Sequence, residues 1–199
     1  MSREVEFFFD VGSPASYLAW TQLPAICENS NAWLVYRPML LGGVFRATGN
    51  TSPGAIAAKG EYVFKDLRRF AQRYEVPLIS NPHFPIFTLT LMRATVGVQT
   101  HMPERFHDFL RVVFNSIWVD SADMNKQECV DDALRSAGFD PQRIAALASN
   151  AEVKETLRST TAEAVARGAF GAPTIFVGAD MFFGQDRLDF VMEVLARQP

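Results

Sequence analysis

The chain is short of the residues that most often carry chemistry. Among its 199 residues are only two cysteines and three histidines. Cys27 and Cys129 lie far apart in the sequence and fit no metal-ligand or Cys-X-X-Cys redox spacing, so a dithiol oxidoreductase would have nothing to cycle. Both are read as small core residues. Long hydrophobic runs are also missing. The most apolar windows, 86–92 and 112–114, are too brief and too interrupted to span a bilayer, which sets a membrane role aside. Positive charge is not in excess: 19 Lys and Arg stand against 22 Asp and Glu, for a net charge of −3. With basic clusters this short, a nucleic-acid partner is set aside as well. The opening residues lack the apolar core and small-residue cleavage site of a signal peptide. Together with the cysteine usage, this gives the expectation of a reducing, cytoplasmic setting.

What the chain has in quantity is apolar and aromatic material. Hydrophobic residues make up 48 %, with 17 Phe, enough to fill one large domain or a domain with a sizeable insertion. The stretch on which the rest is organised is Phe7-Phe8-Phe9-Asp10-Val11-Gly12-Ser13-Pro14-Ala15-Ser16. Val5 to Phe9 predicts a buried strand. Asp10, Gly12 and Pro14 end it, and Ser13 then stands as a helix N-cap with Pro14 at the first helical position. Backbone N–H groups collect there, together with the positive end of the helix dipole, so the position suits an anion. Ser13-Pro14-Ala15-Ser16 also has the outline of a Cys-X-X-Cys motif with hydroxyls in place of sulfur. Two readings stand side by side at this point: a plain capping serine, or a hydroxyl facing a sulfur that a separate thiol brings in, of which glutathione is the usual one.

A helix over about 14–28 and a strand Trp33–Arg37 complete a βαβ unit. Residues 40–54, rich in Gly, Asn, Ser and Pro, are expected to be a loop or loop-bounded segment. From about 55 to 167 the period is helical, with Phe64, Leu67, Ala71 and Tyr74 on one face and Phe106, Phe109, Val113 and Ile117 on another. Pro77, residues 81–85, Pro103 and residues 138–141 separate the helices, and the last, about 151–166, stops at Gly168. Strand character returns at 173–177 and 181–183 around a turn at 178–180, which predicts a hairpin. Gln185-Asp186 then opens a terminal helix with Leu188, Val191, Met192 and Leu195 inward. The order βαβ, helices, ββα is that of an α/β thioredoxin-like (DsbA-like) domain with an inserted all-helical domain. The expected division is 1–52 with 169–199 for the former and 53–168 for the latter.

Two further stretches bear on chemistry. Gly171-Ala172-Pro173-Thr174 places a proline at a strand start, where in thioredoxin-like folds it is cis and faces the redox motif. With a cis Pro173, the peptide groups of Ala172 would lie beside Ser13 and could pair with an extended peptide. In Phe183-Gly184-Gln185-Asp186-Arg187, Asp186 is either an ordinary first-turn acid or a partner for an ammonium group, with the N–H groups of Gln185 and Asp186 taking the carboxylate beside it. Arg187 is either a surface ion-pair member or a ligand contact. Asn50 follows a glycine in a loop, where Asn is common because it tolerates turns.

With these in view the chain resembles the 2-hydroxychromene-2-carboxylate isomerase family of the DsbA superfamily, related to the kappa-class glutathione transferases. The matching pieces are residues 9–19, 37–50, 66–71, 164–174 and 183–188, nearly end to end and in the expected order. The resemblance implies glutathione as cofactor and a small-molecule substrate, in a homodimer. It implies Ser13 as the catalytic serine facing the glutathione sulfur. It also implies glutathione contacts at Ala172 and Pro173, at Phe183 and Gly184, at Gln185 and Asp186 for the γ-glutamyl end, and at Asn50. The implied reaction is reversible thiolate addition to a conjugated, aromatic, carboxylate-bearing substrate, with no metal.

One departure stands out. Isomerases of that group have a lysine five residues before the Asn and an Asn-Arg pair after it, where this chain has Phe45, Ala55 and Ile56. Phe45, Arg46, Lys59 and Phe84 are the expected substrate-side residues. Arg46, Lys59 and His83 are either replacements that bind an acid or solvated charges. No role is required of His83, His101 or His107. The rival readings are a kappa-like transferase that conjugates glutathione to an electrophile, and a cysteine-less thioredoxin-like module that holds peptides.

Overall fold

The structure, a computed structural model, describes residues 3–197; positions 1, 2, 198 and 199, the outer ends of the expected thioredoxin-like domain, lie outside the described residues. Strand β1 (Glu4–Phe9) is covered on both faces. Val5, Phe7 and Phe9 enter the main core, while Phe8 packs on the opposite face with Met39, Val44, Ala164, Ala169 and Phe176. Successive strand side chains alternate between faces, so the part of the strand with both faces covered, Phe7 to Phe9, is an unbroken apolar run. Helix α1 (Pro14–Asn29) returns the chain to β2 (Trp33–Pro38), parallel to β1. Later, β3 (Thr174–Val177) pairs antiparallel with β1, and β4 (Asp180–Phe183) antiparallel with β3, for a sheet order β2-β1-β3-β4.

Between β2 and β3 lie α2 (Leu41–Thr48), α3 (Ala57–Arg73), α4 (Leu89–His101), α5 (Phe106–Trp118), α6 (Gln127–Ser136), α7 (Pro141–Ser149) and α8 (Ala151–Ala166). Helix α9 (Leu188–Arg197) follows the hairpin. This is the expected thioredoxin-like, DsbA-like architecture with a helical insertion. Beyond the end of α8, Arg167 spans the back of the sheet. Its guanidinium pairs with Glu6 at 2.6 Å and Glu163 at 3.3 Å and lies 3.8 Å from the centre of the Phe176 ring. The chain leaving α8 toward Phe170 and Pro173 is thereby tied to β1 and β3.

Two expectations need correction, and one alternative is resolved. Residues 41–48 form helix α2, so the segment read as a loop or loop-bounded is the latter. Its N-cap, Leu40, offers no side-chain acceptor; the buried Asp10 takes the Leu41 N–H instead, at 2.8 Å. The capping signal thus sits some thirty residues upstream, where a local reading does not look. Met192 is 41 % exposed, because Leu188, Val191 and Leu195 define the inner stripe of α9 and Met192 is rotated past it. Cys27 is buried as expected, but Cys129 is only half-buried on α6.

Candidate active site

The site begins where β1 gives out. Asp10 is 1 % exposed, and its carboxylate accepts from the Gly12 N–H (2.9 Å), the Leu41 N–H (2.8 Å) and the Thr88 hydroxyl (3.0 Å). Burial pushes its pKa above the ordinary carboxylate value, while the three donors pull it back down. One side chain therefore fixes the turn before Ser13, the start of α2 and the segment before α4.

Ser13 caps α1 as the sequence predicts. Its hydroxyl oxygen accepts the Ser16 N–H at 3.1 Å, and the hydroxyl donates to the Ala172 carbonyl at 3.0 Å. The Ala172–Pro173 bond is cis. Residues from opposite ends of the chain thus meet at the head of the first helix. The second serine of the pair behaves differently: Ser16 is fully buried and its Oγ has no hydrogen-bond partner among the described residues.

The 183–186 turn is built onto the same proline. The Gly184 N–H donates to the Pro173 carbonyl at 3.0 Å. Gly184 has φ of +100°, and a Cβ there would fall 2.4 Å from Asp186 Oδ1, so only glycine lets the turn fold this tightly. Gly171 likewise has no room for a Cβ, which would meet the Phe183 ring at 2.6 Å. Tyr74, just past the end of α3, donates its hydroxyl to the Gln185 carbonyl at 2.7 Å. Burial, with Asp189 nearby, raises the Tyr74 pKa to about 12, so this donor stays protonated across the physiological range. A single 3-10 turn, Gln185–Arg187, precedes α9, and N–H groups at such a start lack intrahelical acceptors. Asp186 is held by its neighbour, the exposed Arg187, in an ion pair.

These pieces open onto one cleft of about 890 Å³. Ser13, Phe45, Asn50, Lys59, Phe84, Ala172, Phe183, Gly184, Gln185 and Asp186 all line it. Two expected residues do not. Pro173 is buried beneath the lining and contributes its carbonyl to Gly184. Arg46, on the outer side of α2, is absent from the cleft wall, because a residue next to the inward Phe45 is turned about 100° round the helix. His83 is also off the wall and sits 3.6 Å from Asp123. Asn50 does more than turn the chain: its Nδ2 donates to the Phe170 carbonyl at 2.8 Å and its Oδ1 accepts the Thr51 N–H at 2.8 Å. It joins the loop after α2 to the segment carrying Ala172.

Sequence reasoning missed Asp10, taken only as a strand breaker, and Tyr74, taken only as part of a helix face. A carboxylate between a Phe run and a glycine turn was a readable signal for the first. Nothing local marks the second. Among the described residues there is no cluster of His, Cys, Asp or Glu suited to a metal ion, and no helix is long and apolar enough to cross a membrane.

A cis-proline facing a capped first helix, within a mixed sheet interrupted by helices, defines a thioredoxin-like protein of the DsbA kind. The chain belongs to the DSBA-like thioredoxin domain family, whose model matches residues 4–196. It is 30 % identical to glutathione S-transferase kappa 1 of Rattus norvegicus, covering 98 % of this chain and 92 % of that one. It is 29 % identical to the 2-hydroxychromene-2-carboxylate isomerase of Sphingobium xenophagum, covering 98 % and 99 %. A solved structure of a 2-hydroxychromene-2-carboxylate isomerase superposes with a TM-score of 0.82 at 27 % identity, covering 98 % of this chain and 95 % of that one.

Proposed function

We propose that the protein is a glutathione-dependent isomerase of a small conjugated substrate. The observation that carries this reading is the contact between the Ser13 hydroxyl and the Ala172 carbonyl at the base of the cleft. The relatives named as isomerases and kappa transferases support it. The cleft also suits the tripeptide: a strand-like peptide group at Ala172, N–H groups at Gln185 and Asp186 for a carboxylate, and the Asp186 carboxylate for the neighbouring ammonium.

Glutathione held there, with its sulfur beside Ser13, would supply a thiolate for reversible addition to a conjugated double bond, the chemistry that lets the bond rotate and returns the thiol unchanged. The work of the protein is to favour the ionised sulfur. A free thiol of pKa about 8.5 is mostly protonated at neutral pH, and lowering it by about two units needs ~2.7 kcal/mol. A hydrogen bond from Ser13 to a charged sulfur is worth about 1.5–3 kcal/mol. The N-terminus of α1 adds about 0.3–1 kcal/mol, so the two suffice without a base. The protein's own thiols do not compete at this spot: Cys27 is buried, and burial raises its pKa to about 11. The same reading carries a homodimer in a compartment where thiols stay reduced.

A second reading, a transferase that conjugates glutathione to an electrophile, is favoured by Phe45 on the cleft wall and by the kappa-named relatives. Calorimetry with glutathione, set against an unrelated tripeptide thiol, tests the shared half of both. Selective binding is expected, and equal binding would point to a mere peptide holder. Product analysis with a conjugated substrate then separates recovered glutathione from a stable thioether.

A further inference from the structure

Building on the glutathione reading, we propose that Trp118 is a positioning residue for the sulfur site, acting through the peptide between Val11 and Gly12. The Ser13 N–H donates to the Asp10 carbonyl at 3.0 Å, so residues 10–13 form a β-turn that ends on the helix-capping serine. Val11 and Gly12 are its central residues. A turn with glycine in the third place can take either of two forms that differ by a half-rotation of the central peptide. The type II form needs a positive φ at that glycine. Gly12 is not at positive φ. The peptide therefore stands in an orientation that the glycine alone does not select.

Its partners select it. The Val11 carbonyl accepts the Trp118 indole N–H at 2.9 Å, and the Gly12 N–H donates to Asp10 Oδ1 at 2.9 Å. The Val11 N–H donates to Met92 Sδ at 3.3 Å. A thioether is a weak acceptor, which leaves the indole as the firmer of the two contacts to Val11. Trp118 and Met92 are fully buried and stand behind the cleft wall, whereas Gly12 and Ser13 are on it. The carbonyl dipole thus points into the core, away from the place a sulfur would take beside Ser13. Turned over, the same carbonyl would present its oxygen toward the cleft and oppose a negative charge at the head of α1. Trp118 is itself fixed: its own carbonyl accepts the Ile79 N–H at 2.8 Å, and its ring centre lies 6.1 Å from that of Phe84. Trp118 ends α5 and Met92 lies on α4, so the helical insertion sets the orientation of a peptide at the end of β1.

Trp118→Phe keeps a ring against Phe84 and removes the N–H. Thiolate absorbance of bound glutathione against pH is expected to show the thiol pKa raised by about half a unit to one unit, as for the loss of one neutral hydrogen bond. Calorimetry at about pH 5, where the thiol is protonated in both proteins, is expected to give glutathione affinities within about twofold of each other, since only the ionised sulfur feels the carbonyl. Val98→Ala, a buried truncation on α4, is the control for lost packing and should leave the thiol pKa as in wild type. An unshifted pKa in Trp118→Phe, or an equal shift in Val98→Ala, would overturn the proposal. Should Trp118→Phe not fold, Met92→Leu decides on the same readouts, because it keeps the volume and removes the acceptor of the Val11 N–H. A raised pKa there sustains the proposal and an unshifted one overturns it. If the wild-type protein does not bind glutathione, it is the underlying reading that fails. The amide resonances of Gly12 and Ser13 without ligand, expected to move in Trp118→Phe, still judge the turn, and unmoved resonances would count against Trp118.

Discussion

The Ser13 hydroxyl spends its single proton on the Ala172 carbonyl, 3.0 Å away, while its oxygen accepts the Ser16 N–H. To donate to a sulfur the hydroxyl must turn, and the carbonyl then needs another donor. On the proposed reading, the cysteinyl N–H of an extended glutathione would be that donor. Binding of the peptide backbone and ionisation of the thiol would then be coupled. A depsipeptide analogue of glutathione, with an ester oxygen in place of the cysteinyl N–H, should bind with its thiol pKa lowered about one unit less, since an unmet carbonyl costs about 1–3 kcal/mol. Thiolate absorbance against pH measures it, and equal pKa values for the two complexes would refute the coupling.

Asp10 gives a pH signature. Its folded pKa is raised above 3.8, so the native state holds this proton more tightly than the unfolded chain. The stabilisation is complete below the unfolded value and is lost as pH climbs through the raised folded value. Asp10→Asn cannot accept from all three donors, and should cost about 1–3 kcal/mol at the acid end. The gap between wild type and variant should then narrow as pH rises from 4 toward 8. Urea denaturation across that range checks the slope, and parallel curves would contradict it.

Tyr74 links α3 to the Gln185 turn through one hydroxyl. Tyr74→Phe is expected to lower stability by about 0.5–1.5 kcal/mol and to weaken glutathione binding several-fold. The pKa of the bound thiol should stay as in wild type, because Ser13 is untouched. A shifted thiol pKa would mean that the turn and the sulfur position are not separable in this way.

Much of this was legible in the chain because the signals were local. Ser13-Pro14 marks a helix start, Gly171-Ala172-Pro173 marks the strand opposite it, and Phe7 to Phe9 shows no polar alternation because both faces of β1 are covered there. What escaped was set by distant partners. Helix α2 carries two glycines and an uncapped leucine, and forms around an acceptor from β1. Arg46 and Lys59 looked alike as loop-side cations, and only the orientation of α2 and α3 puts one on the cleft wall and the other off it. Asn50 was readable as a turn residue, but its bond to Phe170 joins segments 120 positions apart.

The protein's own thiols take no part in the proposed reaction. Cys27→Ala with Cys129→Ala should keep glutathione-dependent turnover, apart from about 1–2 kcal/mol of lost packing at Cys27. With Cys27 buried and its pKa near 11, brief iodoacetamide treatment of the native protein at neutral pH should leave it unlabelled. Peptide mass mapping reads this, and loss of turnover in the double variant would contradict it.

The most direct measurement is the thiol pKa of bound glutathione in wild type and in Ser13→Ala, followed by thiolate absorbance. The expected wild-type value lies about two units below that of the free thiol, with a rise of about one to two units in the variant and the fold retained. An identical pKa in the two proteins would contradict it.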